Sequence, residues 1–349
     1  MYTNLHNMNY LEENRNLIFK KYTEEELLKD IRNFTGGKGR LYKVLNHFFE
    51  EEMFKCKGGR GNLSPMGALK DNSVVESILE FTKSKPKFYV GNDIANVKSF
   101  FRNAGRKAQK VSNFPVRQAV DIYNKYTEVG GNIFDMSCGF GSRMSAALLL
   151  GRNYVGTDPN PTLYGKLLEY GEFLKNNGLL EDLGNGYKII KQGSEILIPL
   201  IENKVDLCFT SPPYFDLEDY GNDENQSIKK FNNYDLWLEK FARPTIENCF
   251  KYLKVGGYLA VNVKNMTSGK KYKLYDDWFN IASENKSFEF VEVIEMKQGS
   301  KRDYKDKHFT GVSGSFGFKE PVMVFRKVWK NIKRINNYGR NNQKRNRRI

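Results

Sequence analysis

Two short stretches of this sequence combine residue types that could do chemistry. In Phe134-Asp135-Met136-Ser137-Cys138-Gly139-Phe140-Gly141-Ser142 an apolar run delivers an acid and then two glycines. A turn of this kind at a strand end lets bare backbone approach a ligand closely. In Phe209-Thr210-Ser211-Pro212-Pro213-Tyr214 two prolines follow a second apolar run. Prolines cannot continue a sheet, so they stiffen a loop that offers a hydroxyl and ends in an aromatic ring suited to gripping a flat partner. Asp158 stands roughly twenty residues beyond the glycine turn, where a carboxylate can hold ribose hydroxyls. Together the glycine turn and this acid suggest a cofactor containing adenosine, and on these residues alone NAD stays open.

The elements around these residues alternate. Pro115 suits a helix start, and Val116, Ala119, Val120, Tyr123 and Tyr126 keep helical spacing. Strands are expected at Ile133–Asp135, Tyr154–Asp158, Tyr187–Lys191, Val205–Thr210 and Tyr258–Val263. The amphipathic segment Leu236–Leu253 reads as a helix stopped at Gly256-Gly257. Phe290–Met296 and Val322–Phe325 are rich in strand formers and close the domain. Alternating strands and helices imply an α/β fold, a mostly parallel sheet covered on both faces. Ligands bind such sheets at the carboxyl ends of the strands, where both chemical stretches fall.

Residues 1–112 read as a helical, basic region. Thr23-Glu24-Glu25-Glu26 is a capping box, followed by the apolar face Leu27, Leu28 and Ile31. Gly36-Gly37-Lys38-Gly39-Arg40 and Gly58-Gly59-Arg60-Gly61-Asn62 do not fit a nucleotide P-loop, and both read as flexible loops. The expected division is 1–112, then a domain over 113–329, then a basic tail over 330–349.

The chain has 349 residues, 40% of them hydrophobic and 14% aromatic, enough for one large core. Cys56, Cys138, Cys208 and Cys249 form no C-x-x-C pair, and His6, His47 and His308 stand alone. That argues against a disulfide framework or a metal site and for a reducing cytoplasm. The start of the chain lacks the basic-then-apolar order of a secretory signal, and the longest apolar run, Ala146–Leu150, is too short to span a membrane. A soluble cytoplasmic protein is expected. The net charge is +15, and no acid follows Glu320. Such an excess suits a polyanion, and its C-terminal share, expected to be disordered beyond about Asn336, suits phosphate contact.

Ser211-Pro212-Pro213-Tyr214 resembles motif IV of the amino-group DNA methyltransferases, Asp/Asn/Ser-Pro-Pro-Tyr/Phe. Phe134–Gly141 resembles their motif I, D-P-F-x-G-x-G, with Met136-Ser137 where Pro-Phe is common. Asn113-Phe114-Pro115-Val116-Arg117 resembles motif X, which helps to enclose the methionine end of the cofactor. Gln192-Gly193-Ser194-Glu195 resembles the loop after strand three, with Ser194 where an acid is common, and Leu253–Tyr258 resembles the approach to strand five. The likeness runs from Asn113 to about Lys327 and is similar to solitary enzymes of phages and bacteria, with a restriction partner left open.

The resemblance implies a class I methyltransferase sheet of seven strands, the last antiparallel, with S-adenosyl-L-methionine (SAM) as cofactor. It assigns Phe114, Asp135, Ser137, Cys138, Gly139, Gly141, Asp158 and Ser194 to the cofactor. It assigns Ser211, Pro212, Pro213 and Tyr214 to catalysis on the exocyclic amino nitrogen of a base flipped from double-stranded DNA. Ser211 would accept one amino hydrogen and the Pro212 carbonyl the other, with Tyr214 stacked on the base. The Thr-Ser-Pro-Pro-Tyr form leans toward N4 of cytosine over N6 of adenine. RNA methylation and a catalytically idle DNA-binding module are the rival readings. Base readout is expected from the N-terminal region, from Phe215–Asp235 (an acidic lid) or from the basic loop Lys297–Lys319.

Overall fold

The computed structural model describes residues 9–59, 62–103, 108–180, 186–221, 223–266, 272–295 and 321–329. The basic loop Lys297–Lys319 and the tail 330–349 lie outside the described residues.

The strands form as their apolar runs predict: β1 (Asn132–Asp135), β2 (Asn153–Thr157), β3 (Tyr187–Ile190), β4 (Val205–Thr210), β5 (Leu253–Asn262), β6 (Phe288–Glu295) and β7 (Pro321–Lys327). Among the described residues they make one sheet in the order β3-β2-β1-β4-β5-β7-β6. The first five are parallel, and β7 runs antiparallel to both β5 and β6. The strand order reverses beside β1, between β1 and β4, which is where open parallel sheets hold their ligands.

Side chains alternate across the sheet. Ile133, Leu207, Phe209 and Ala260 face one core, with Ala119, Ile122 and Tyr123 of α7 (Val116–Tyr126) and Leu163, Leu167 and Tyr170 of α9 (Pro161–Asn176). Phe134, Cys208, Leu259 and Val261 face the other, with Ile246 and Cys249 of α12 (Arg243–Tyr252) and Trp278 of α13 (Leu274–Glu284).

The hydrophobic core does not break at residue 113. Helices α2 (Glu24–Thr35) and α3 (Tyr42–Lys55) lay Leu27, Ile31, Phe34, Phe48 and Phe49 into the first core. Phe48 stands 5.1 Å from Tyr170 and 5.4 Å from Phe173, ring to ring. Burying each such ring stabilises by about 1.5–3 kcal/mol, so these helices belong energetically to the sheet domain. The capping box of α2 is present, with Glu26 N–H on Thr23 Oγ1 and Thr23 N–H on Glu26 Oε2. A satellite core gathers α1 (Tyr10–Ile18), α4 (Pro65–Leu69), α5 (Asn72–Lys83) and α6 (Asp93–Asn103).

Two expected elements differ. The segment read as one helix over Leu236–Leu253 is α11 (Tyr234–Trp237), a π-helical turn at Leu238–Ala242 and then α12. Pro244 lacks an N–H and crowds the carbonyl four residues back, which accounts for the widened turn before it. Gly256-Gly257 does not stop that helix. The helix has already ended at Tyr252, and both glycines lie inside β5, where the β4–β5 register shifts between Val205 and Leu207.

Candidate active site

The turn after β1 is braced from beneath by a buried ion pair. The Asp135 carboxylate is fully buried and accepts from Arg143 Nε at 2.8 Å, Arg143 Nη2 at 3.1 Å, Tyr154 Oη at 2.7 Å and the Ser137 N–H at 3.1 Å. Arg143, on α8 (Ser142–Leu148), also donates to the Ser137 carbonyl. Burial by itself would lower the pKa of this guanidinium, and Asp135 more than offsets that, so it stays charged. With four donors satisfied inside the protein, Asp135 supports the turn and does not line the cavity beside it. Cys138 and Gly141, also expected at the cofactor, lie behind the wall too. The Cys138 thiol packs against Gly156, and its N–H is bonded to the Thr157 carbonyl at 3.0 Å. Gly141 (φ +73°) faces the N-terminal helices, and a Cβ there would come within 2.5 Å of the Phe49 ring. The wall itself is made by Ser137, Gly139, Phe140, Ser142 and Arg143.

Asp158 follows β2 into the same cavity. Its Oδ2 accepts the Gly139 N–H at 3.3 Å and its Oδ1 the Asn160 N–H at 3.0 Å. Burial pushes this carboxyl up to about 7, against the pull of those two amides. Phe114 lines the cavity from the stretch before α7, edge-on to Phe209 at 5.2 Å. Its neighbour Asn113 donates from Nδ2 to the Phe140 carbonyl at 2.8 Å, tying that stretch to the glycine turn. Ser194 also lines the cavity; its hydroxyl lies 2.9 Å from Thr245 Oγ1, and Asn248 Nδ2 donates to its carbonyl, both from α12.

Ser211, Pro212, Pro213 and Tyr214 leave the carboxyl end of β4 and line the same cavity. The loop is held on three sides. Thr210 pairs with Val261 of β5. Phe215 turns the chain with φ +51° and wedges its ring among Tyr234, Trp237 and Tyr272, with centroids 5.2–5.7 Å away. Further on, Asp219 and Lys57 exchange two backbone hydrogen bonds, of 2.7 and 2.9 Å. The glycine-rich stretch at Gly58-Gly59, read as a flexible loop, is thus pinned against the segment that follows Tyr214. The other one is pinned as well: Arg117 donates to the carbonyls of Phe34, Lys38 and Gly39.

Asn262 and Lys264 at the end of β5 complete the lining beside Ser211, and the sequence reading missed both. The signal was a buried asparagine closing the apolar run Leu259-Ala260-Val261. The cavity measures about 1680 Å³. A drug-sized ligand needs roughly 300–1,000 Å³, so the cavity has room for more than one such molecule. The Ser142 hydroxyl, buried on this wall, has no hydrogen-bond partner among the described residues. That hydroxyl and the Asp158 carboxylate suit a ligand rich in hydroxyls and amines. Among the described residues there is no group of three His, Cys, Asp or Glu placed to hold a metal ion, and no helix long and apolar enough to cross a membrane.

The seven-stranded order, with β7 antiparallel between β5 and β6, is that of the class I, Rossmann-like methyltransferase fold. Residues 205–348 match the DNA methylase family of N6 and N4 methyltransferases, which supports an amino-group DNA methyltransferase. No curated protein matches the sequence. Solved structures similar in fold include a TehB-like SAM-dependent methyltransferase from Corynebacterium glutamicum, 17% identical over 60% of this chain and 86% of its own, with TM-score 0.38. An rRNA methylase from Streptococcus thermophilus is 13% identical over 63% and 99%, with TM-score 0.37. The N-methyltransferase NodS from Bradyrhizobium japonicum, in complex with S-adenosyl-L-homocysteine (SAH), is 12% identical over 61% and 85%, with TM-score 0.37.

Proposed function

We propose that the protein methylates the exocyclic amino nitrogen of a base flipped out of double-stranded DNA, with N4 of cytosine preferred to N6 of adenine. The observation that carries this reading is one continuous cavity, lined by Ser137 and Asp158 at one part and by Ser211 to Tyr214 at another. The bound cofactor supplies a methyl group already activated for transfer. Asp158 holds the ribose hydroxyls, and Phe114 with the turn at Ser137–Gly139 encloses the rest. Ser211 accepts one hydrogen of the amino group and the Pro212 carbonyl the other, turning the nitrogen lone pair toward the methyl. Pro213 keeps the loop rigid, and Tyr214 stacks on the flipped ring. Alignment and preorganised acceptors supply the rate. The preference for cytosine rests on Thr-Ser-Pro-Pro-Tyr carrying serine at its first motif position after a hydrophobic residue.

Radiolabelled SAM offered with duplex DNA and with RNA, followed by nucleoside analysis, tests the reading. Label in N4-methylcytosine of DNA is expected. Label only in RNA, or none in either with SAM bound, overturns it.

A further inference from the structure

From Lys83, the last residue of α5, toward α6 the chain runs Lys83-Ser84-Lys85-Pro86-Lys87-Phe88-Tyr89-Val90, and no acid stands between Glu80 and Asp93. The turn is built rather than loose. The N–H groups of Phe88 and Tyr89 both donate to the Lys85 carbonyl, at 2.9 and 3.1 Å. The Gly91 N–H donates to Asn96 Oδ1 at 3.0 Å, while Asn96 Nδ2 donates to the Gly91 carbonyl at 2.7 Å. Tyr89 turns inward to Phe81, 6.1 Å away, and joins the satellite core. Its neighbours turn outward: Phe88 is 79% and Val90 87% exposed. All three lysines are exposed, and none has an ion-pair partner among the described residues.

Leaving two large apolar side chains in water forgoes the stabilisation their burial would bring. Here a locally fixed backbone presents both of them, framed by three cations. We propose that this turn docks on the DNA duplex flanking the target base, its lysines on phosphates and Phe88 and Val90 against the groove wall or between base steps. The inference rests on the reading under Proposed function and adds the surface that holds the duplex. Helix α6 links the two places. It starts at Asp93 beside the turn and carries Arg102 into the cavity wall. At 1.5 Å per residue that is about 14 Å, on the order of four base pairs at 3.4 Å each. A lipid surface fits less well, because two apolar side chains make a weak anchor without an amphipathic helix behind them.

Duplex binding by the full chain, followed by fluorescence anisotropy across a salt series, tests the proposal. Changing Lys83, Lys85 and Lys87 together to Ala should lower the slope of log K against log salt by roughly 2–3, at about 0.9 per phosphate contact. Phe88→Ala should weaken binding several-fold at constant slope. Both variants should bind SAH as the parent does. If the parent methylates DNA and neither variant changes slope or affinity, this proposal falls alone. If the parent neither binds nor methylates duplex DNA, the reading it rests on falls with it. Retention of the parent, but not the variants, on anionic-lipid vesicles, with unchanged DNA binding, would assign the turn to membranes instead.

Discussion

Gly59 and Leu217 meet where the N-terminal region touches the loop after β4: a Cβ on Gly59 would lie 2.3 Å from Leu217 Cδ1 and 3.0 Å from the Leu217 carbonyl oxygen. Leu217 in turn closes on Tyr214, its N–H donating to the Tyr214 carbonyl at 3.0 Å. A single absent methyl group therefore lets residues of the N-terminal region brace the loop that carries Tyr214.

Gly59→Ala should push Leu217 outward and displace Tyr214. Overpacking of this kind typically costs about 1–3 kcal/mol, so the melting temperature should fall. Methyl transfer should fall further than SAH affinity, and Leu217→Ala in the same chain should restore much of the loss. Parental turnover in the single variant would show that this contact does not position the loop.

Asp135 and Arg143 make the opposite kind of prediction. Asp135→Asn leaves a buried guanidinium without its counter-charge, a change that typically costs about 3–5 kcal/mol. The expected signature is a large drop in denaturant midpoint. At temperatures where the variant is still folded, SAH affinity should change less than it does in Asp158→Ala. The reverse ranking would return Asp135 to direct contact with the cofactor.

Asp158→Ala should weaken SAM binding by roughly 1.5–3 kcal/mol through loss of charge-assisted hydrogen bonds. The pH dependence follows from its carboxyl, raised to about 7 by burial. Ribose hydroxyls donate best to the ionised form, so SAH affinity should rise as pH climbs through 7 and level off above 8. For folding the sign is opposite. A raised acid destabilises the fold above 7 and ceases to do so as pH falls toward its unfolded range. Calorimetry at pH 5.5, 7 and 8.5 checks the first trend, and Asp158→Asn should flatten it.

Ser211→Ala should leave SAM affinity nearly intact and slow transfer by about 10²–10³, the usual loss of one preorganised polar partner. Tyr214→Ala removes a stacking face worth roughly 1–3 kcal/mol per base. It should lower retention of the flipped base as well as turnover. Fluorescence of 2-aminopurine at the target position separates the two: the signal persists in the first variant and fades in the second. Loss of SAM binding in a stably folded Ser211 variant would make the loop a cofactor element.

Deleting Asn336 to Ile349 removes Arg340, Lys344, Arg345, Arg347 and Arg348. The log K versus log salt slope for DNA should flatten while the methylated sequence stays the same. An unchanged slope would mean that the tail does not touch phosphate.

The sequence by itself determined whatever depends on near neighbours. The apolar runs that end in Asp135 and Thr210, the capping box at Thr23, the acid after β2 and the Pro-Pro loop are all local patterns, written within a few residues. The placement of the glycine turn, the acid after β2 and the Pro-Pro loop at the carboxyl ends of parallel strands followed from alternation alone. What only the tertiary structure decided is where side chains and loops turn once distant residues arrive. Asp135 turns away from the cavity because Arg143, eight residues on, and Tyr154, nineteen on, take its carboxylate. Gly58-Gly59 is a seam, not a loose loop, because Gln109 and Leu217 close on it from segments far away in the chain. In sequence, residues 1–112 stand apart as a helical, basic region, yet α2 and α3 share the core of the sheet, because Phe48 and Phe49 find Tyr170 and the bare Gly141. No periodicity within either segment could encode that meeting, since shape complementarity between distant surfaces exists only after both have folded.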